Sequence, residues 1–129
     1  MADLPIILVI EHDQLIQSMI DEALTQSGFD TAIVPSGEEA ITLLRGKSIS
    51  YRALISDIHL RGKVDGWEVA RVARQIDPAF PVIYITGAAS RDWASKRVPG
   101  SALLLKPFTP ARLVGALSRL LDPGAADPG

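Results

Sequence analysis

Five short apolar runs, each followed by a segment of helical period, constrain this chain more than any other feature. The runs are Ile6–Ile10, Thr31–Val34, Ala53–Ile55, Val82–Ile85 and Ala102–Leu105. The first, third and fourth are rich in Val and Ile with little polar alternation, which predicts strands buried on both faces, as in a parallel sheet. After the first run, Leu15, Ile16, Met19, Ile20, Ala23 and Leu24 form a helical stripe, with Gly28 as its stop. Ser36 with Glu39 reads as a capping box before Ala40, Ile41, Leu43 and Leu44, and Asp65 with Glu68 repeats that arrangement before Val69, Val72 and Ala73. Pro78 and Pro81 mark the crossing to the next strand. Ser90 is the expected cap of a short helix over residues 91–96. Thr109-Pro110 supplies a cap and an N1 proline before Leu113, Val114, Leu117, Leu120 and Leu121. Strand then helix, five times over, predicts an α/β fold: an open parallel sheet with helices on both faces and right-handed crossovers.

Bulk properties narrow the function. A length of 129 residues and an apolar fraction of 47% suit one domain with a substantial core. The net charge of -2 gives no basic field for gripping phosphates, so direct nucleic-acid binding is not expected. The absence of cysteine excludes a disulfide framework and a cysteine metal site. The apolar stretch Ile6–Ile10 is too short to span a bilayer, and no basic segment precedes it, so neither a membrane span nor a signal peptide is expected and the expected location is cytoplasmic. Residues 122–129, rich in Pro and Gly, read as a flexible C-terminal tail.

Four of the apolar runs end on reactive groups: Glu11-His12-Asp13, Asp57, Thr86-Gly87 and Lys106-Pro107. In open parallel sheets, ligands sit beyond the carboxyl ends of the strands. Each residue alone has an ordinary reading. Asp57 can start a turn, Asp13 can cap the first helix, Thr86 can be a plain strand residue and Lys106 a solvated lysine. Together they make a chemical unit. A carboxylate such as Asp57 can act as a nucleophile toward a phosphoryl group, giving an aspartyl-phosphate. Such a transfer needs charge stabilisation by a divalent cation and a lysine. Magnesium takes oxygen ligands, which Glu11, Asp57 and a main-chain carbonyl just after Asp57 can supply. Lys106 can pair with Asp57 or its phosphate, and the Thr86 hydroxyl can hydrogen-bond a phosphoryl oxygen. There is no Gly-rich dinucleotide or P-loop signature, and the residue two after Asp57 is His59, so no paired-aspartate nucleophile motif argues for an enzyme.

The segments Ile7-Leu8-Val9-Ile10-Glu11-His12-Asp13, Leu54-Ile55-Ser56-Asp57-Ile58, Val64-Asp65-Gly66-Trp67-Glu68, Val82-Ile83-Tyr84-Ile85-Thr86-Gly87 and Leu104-Leu105-Lys106-Pro107-Phe108 together resemble a response-regulator receiver domain, over residues 5–121. The resemblance implies a flavodoxin-like five-stranded parallel sheet in order 2-1-3-4-5. It implies a chemotaxis-type phosphoprotein of two-component signalling or a phosphorelay, which accepts a phosphoryl group on Asp57 from a histidine kinase or phosphotransfer protein. The output is then an altered contact with a downstream protein target. Enzymatic activity is limited on this reading to slow self-catalysed phosphotransfer and dephosphorylation. Thr86 becomes the switch hydroxyl, Lys106 the phosphate-pairing lysine, and Lys106-Pro107 a cis peptide. The metal seat would comprise Glu11, Asp57 and the main-chain carbonyl of His59, with His12 as an atypical further candidate. The face built by the fourth helix, fifth strand and fifth helix is where related receivers bind partners or form homodimers.

Three departures qualify the resemblance. The family's acidic pair reads Glu11-His12 here, so the second metal-binding position has lost its charge, and weakened magnesium binding is expected. Asp13 follows, one residue out of position. The aromatic residue usual three positions before the strand-five lysine is Leu103, which has no ring to rotate. The loop from Asp57 to Asp65 is one residue longer than the common form, with Arg61 where proline is frequent. His12 and Leu103 keep an alternative open: a receiver-like interaction module independent of phosphorylation. Trp67 reads as core, whereas Trp93, flanked by polar residues, reads either as an interface aromatic or as half-buried against the sheet. No output domain follows the last helical segment, so a chain of this extent is expected to signal through protein contacts.

Overall fold

The computed structural model describes residues 3–88 and 91–122. The elements alternate as expected: β1 (Ile6–Ile10), α1 (Gln14–Gln26), β2 (Asp30–Val34), α2 (Gly37–Gly46), β3 (Tyr51–Asp57), α3 (Gly66–Ile76), β4 (Val82–Thr86), α4 (Trp93–Lys96), β5 (Ala102–Leu105) and α5 (Pro110–Leu121). All strand pairs are parallel and the sheet order is β2-β1-β3-β4-β5, the flavodoxin-like order. Among the described residues no helix is long and apolar enough to cross a membrane.

Local chemistry sets the helix starts. Asp13 caps α1 by accepting from the Leu15 and Ile16 N–H groups, and Ser36, Asp65 and Thr109 do the same for the N–H groups of Glu39, Glu68 and Arg112. The Ser36 hydroxyl also donates to the Glu39 carboxylate at 2.9 Å. Gly28 follows the end of α1 with φ +92°, a left-handed turn that favours glycine. The fourth helix is shorter than expected, a single turn: residues 91–92 form a turn, so it starts at Trp93, and Arg97 ends it in extended backbone. Its expected cap, Ser90, and tail residues 123–129 lie outside the described residues.

Side chains alternate across the sheet and build two cores. Leu8, Ile10, Leu54, Val82 and Tyr84 face α2 and α3, whereas Ile7, Val9, Ile55, Ile83 and Ile85 face α1 and α5. The double burial explains why these strands lack polar alternation. Trp67 is core, 3% exposed.

Register then gathers the strand ends. Ile10 pairs with Ser56, Asp57 with Ile85, and Thr86 with Leu105. Glu11, Asp57, Thr86 and Lys106 therefore emerge at one edge of the sheet.

The turn from β3 into α3 is tightened against that edge. The Gly66 N–H donates to the Ile58 carbonyl at 2.9 Å, and a Cβ on Gly66 would lie 2.1 Å from the Asp57 carbonyl oxygen. Only a residue without a side chain lets the first turn of α3 sit there. Gly66→Ala is expected to cost about 1–3 kcal/mol through backbone displacement, read as a lower urea midpoint at unchanged slope.

Candidate functional site

The strand-end site is an ion triad with a hydroxyl beside it. Glu11 is fully buried, and Asp57 and Thr86 are nearly so. Lys106 reaches over from the end of β5: its Nζ lies 2.8 Å from Asp57 Oδ1 and 3.1 Å from Glu11 Oε2. The β5 end is held there by the Lys106 N–H, which donates to the Thr86 carbonyl at 2.8 Å, and the Lys106-Pro107 peptide is cis. Glu11 is fixed further. Its Oε1 accepts from Lys106 at 3.3 Å and from the Asp13 N–H at 3.1 Å, and its carbonyl accepts from the Gln17 side-chain amide.

Asp57 Oδ2 is buried and has no hydrogen-bond partner among the described residues. A buried acceptor in that state is costly unless another group completes it. Glu11, His12 and Asp57 each present a ligand atom, all within 4.8 Å of one another. Orphaned oxygen, carboxylate neighbour and clustered donors fit a divalent cation. His12 is exposed at the mouth of this cluster, whereas the His59 side chain stands exposed on the following loop, outside it. Asp13 does not take the place of the missing second carboxylate: its side chain is engaged in capping α1, at 2.9 and 3.1 Å from the Leu15 and Ile16 nitrogens.

Electrostatics follow from this burial. Desolvation pushes the Asp57 carboxyl up to about 7; the adjacent Glu11 adds to the rise and Lys106 opposes it. Burial works to lower Lys106, but the two carboxylates beside it outweigh that and hold its ammonium above its ordinary range. Thr86 Oγ1 donates to the Ala88 carbonyl at 3.0 Å and accepts from the Ala88 N–H at 3.3 Å, so the hydroxyl is turned along its own loop.

Sequence reasoning missed the role of Tyr84. It pairs in register with Leu103, two residues before Thr86 on the same face of β4. Its ring lies 4.8 Å from Trp67 and 5.7 Å from Trp93, edge-on to the latter at 89°. Its hydroxyl accepts from the Val98 N–H at 3.1 Å. Trp93 is thus half-buried against the sheet, and Arg97 covers its ring at 4.9 Å. An aromatic ring therefore stands opposite Leu103, on the adjacent strand. Spacing to Thr86 hinted at a shared face; the pairing with Leu103 is non-local and leaves no mark in the sequence.

The extended β3–α3 loop is also anchored. Gly62 takes φ +96° beside the Glu38 carboxylate, which accepts from the Lys63 N–H at 3.2 Å. On the opposite flank, β5 and α5 border a groove of about 500 Å³ that includes Leu103, Leu105 and Phe108, with Leu105 53% exposed.

A doubly wound parallel sheet with an acid–lysine–hydroxyl cluster at its carboxyl edge is the architecture of a signal-receiver domain. The chain belongs to the response regulator receiver domain family, which matches residues 7–118. It resembles a response regulator receiver protein from Sinorhizobium medicae, with a TM-score of 0.89 and 40% identity over 93% of this chain and 96% of that one. It is 30% identical to the probable transcriptional regulator ycf29 of Porphyra purpurea, over 89% of this chain and 56% of that protein. The receiver domain of a Pseudomonas aeruginosa sensor histidine kinase, whose structure holds a magnesium ion in its active-site cleft, shares the fold at TM-score 0.78 and 24% identity, covering 92% of this chain and 98% of that one. The chain spans about half the length of curated relatives such as ycf29.

The raised Asp57 value gives a signed pH effect. The folded chain binds more protons than the unfolded chain between the unfolded carboxylate range and about 7, so this site's contribution is greatest at acid pH and is lost as pH rises through about 7. Asp57→Asn is therefore expected to melt several degrees higher than the parent at about pH 8, with the gain shrinking toward about pH 5. Thermal melts across that range check it; a gain independent of pH would assign the stabilisation to something other than the Asp57 charge.

Proposed function

We propose that this chain is a phosphorylatable switch: Asp57 accepts a phosphoryl group from a histidine kinase or phosphotransfer protein, and the change is read by a downstream protein in the cytoplasm. The observation that carries this reading is the state of Asp57. One oxygen is held by Lys106 at 2.8 Å and the other is buried without a partner. That is a carboxylate oriented and under-satisfied, as a nucleophile should be.

In the transfer, an Asp57 oxygen forms a bond to phosphorus as the phosphorus–nitrogen bond of a phosphohistidine breaks. The electron pair returns to the donor imidazole, which takes up a proton. Lys106 stays beside the reacting oxygens and balances the charge that gathers on the phosphoryl group. Glu11 holds Lys106 in that position from the other side. A magnesium ion bound by Glu11, Asp57 and the main-chain carbonyl of His59 would supply further charge neutralisation, weakened here because His12 offers no second carboxylate.

Thr86 provides the response. Its present donor bond, to the Ala88 carbonyl, is a neutral one. Turning to a phosphoryl oxygen exchanges it for a charge-assisted bond, roughly twice as strong. Thr86 stands two residues after Tyr84 on the same face of β4, and Trp93 packs against the Tyr84 ring. The Tyr84–Trp93 contact then carries the change to α4, next to the exposed apolar surface of β5 and α5, where a partner or a second copy can dock. No step requires direct nucleic-acid contact.

Incubation with a small-molecule phosphodonor and magnesium, read by intact mass, is expected to add one phosphoryl group in the parent and none in Asp57→Asn. No gain with any donor or kinase would move the function to a phosphorylation-independent interaction module. The chain has two tryptophans. In nitrogen-resolved NMR spectra the Trp93 indole signal is expected to shift on phosphorylation in the parent and to stay in place in phosphorylated Thr86→Ala. Equal shifts in both would take Thr86 out of the relay.

A further inference from the structure

We propose that Asp57 and His12, beside Glu11, form a mixed oxygen–nitrogen seat that selects a borderline first-row divalent cation, of the manganese-to-nickel and zinc class, over magnesium. This deepens the reading above, because it concerns the metal of the same site.

The donors that remain available define the preference. Both Glu11 oxygens accept from Lys106, and Oε1 also accepts from the Asp13 N–H. The Asp13 carboxylate caps α1. The uncommitted buried donor is Asp57 Oδ2. The group that joins it from the cluster is the His12 ring, whose nitrogen falls in the same 4.8 Å set as the two carboxylates. Ligand atoms on opposite sides of one ion lie about 4 Å apart when the bonds are 2.0–2.2 Å. The exposed His12 side chain can close that difference by rotation without disturbing the core.

Charge and softness then decide between ions. Two carboxylates and one lysine leave a net charge of about −1 around the seat, a weak attraction for a hard cation that keeps its waters and prefers carboxylate oxygen. Imidazole nitrogen suits first-row transition ions, whose affinity rises along the series from manganese toward copper. An aspartate at position 12 would favour magnesium; a histidine there gives that advantage away and gains affinity for the softer ions.

The test is calorimetric titration of the full chain with magnesium and with nickel chloride, without phosphodonor, comparing the parent with His12→Asp, His12→Ala and Asp57→Asn. Nickel binds tightly to many nitrogen and oxygen sites, so the criterion is dependence on His12, not raw order. His12→Ala is expected to lose nickel affinity by about 10-fold or more while magnesium changes by about 2-fold or less. His12→Asp is expected to tighten magnesium and weaken nickel, and Asp57→Asn to weaken both. His12 is exposed, and thermal melts establish that its variants fold. Nickel affinity unchanged in His12→Ala, or magnesium affinity unchanged in His12→Asp, overturns the proposal. A second readout is independent of affinity. The chain has two histidines, His12 and His59, and paramagnetic nickel is expected to broaden the His12 ring protons first. Broadening that starts at His59 also overturns it. These measurements contain no phosphoryl transfer, so His12-dependent nickel binding in a chain that no donor phosphorylates upholds the seat and rejects the switch.

Discussion

The Lys106 ammonium between Glu11 and Asp57 is the interaction on which this end of the molecule depends. Two carboxylates brought together at the end of a buried sheet repel each other and lose their hydration, and that penalty is several kcal/mol per ion unless a counter-charge is supplied. Lys106 supplies it from the end of β5, two strands from Asp57 and three from Glu11, at 2.8 Å and 3.1 Å. The compensation is incomplete. Asp57 keeps an unpartnered oxygen and its carboxyl is raised to about 7, so the acid is oriented but not fully satisfied. On the proposed function, an ion or a phosphoryl group completes it. A site that was satisfied in the resting chain would have little to gain from either.

The same economy shapes the neighbouring elements. Each polar group near the triad has one defined use. Asp13 caps α1, Gln17 holds the Glu11 carbonyl, and Thr86 turns its hydroxyl to Ala88. Thr86 is bound through neutral contacts within its own loop, to the Ala88 carbonyl and N–H. Beneath it, Trp67, Tyr84 and Trp93 form a continuous aromatic contact from α3 across β4 to α4. Leu103 pairs with Tyr84 across the sheet, and the Val98 N–H donates to the Tyr84 hydroxyl.

The fold was readable because its signals are local. The Val- and Ile-rich runs became β1, β3 and β4, and Ser36, Asp65 and Thr109 cap the helices they were expected to cap. The four reactive strand ends were also visible, because topology places carboxyl ends of parallel strands along one edge. The fourth helix was less legible. It starts two residues later than expected, behind a turn at residues 91–92, while its end at Lys96 falls where it was expected.

Sequence by itself determined the elements, their alternation, and which side chains arrive at the carboxyl edge of the sheet, since hydrophobic period, caps and strand ends are properties of a few consecutive residues. Only the tertiary structure decided how those side chains divide their bonds. It committed both Glu11 oxygens to Lys106 and Asp13 to a helix cap, left Asp57 Oδ2 open beside His12, set Tyr84 opposite Leu103, and pressed Gly66 against the Asp57 carbonyl. The physical reason is register: parallel strands joined by helical crossovers meet at positions far apart in the chain, and a hydrogen bond or ion pair has a partner only once that register is set.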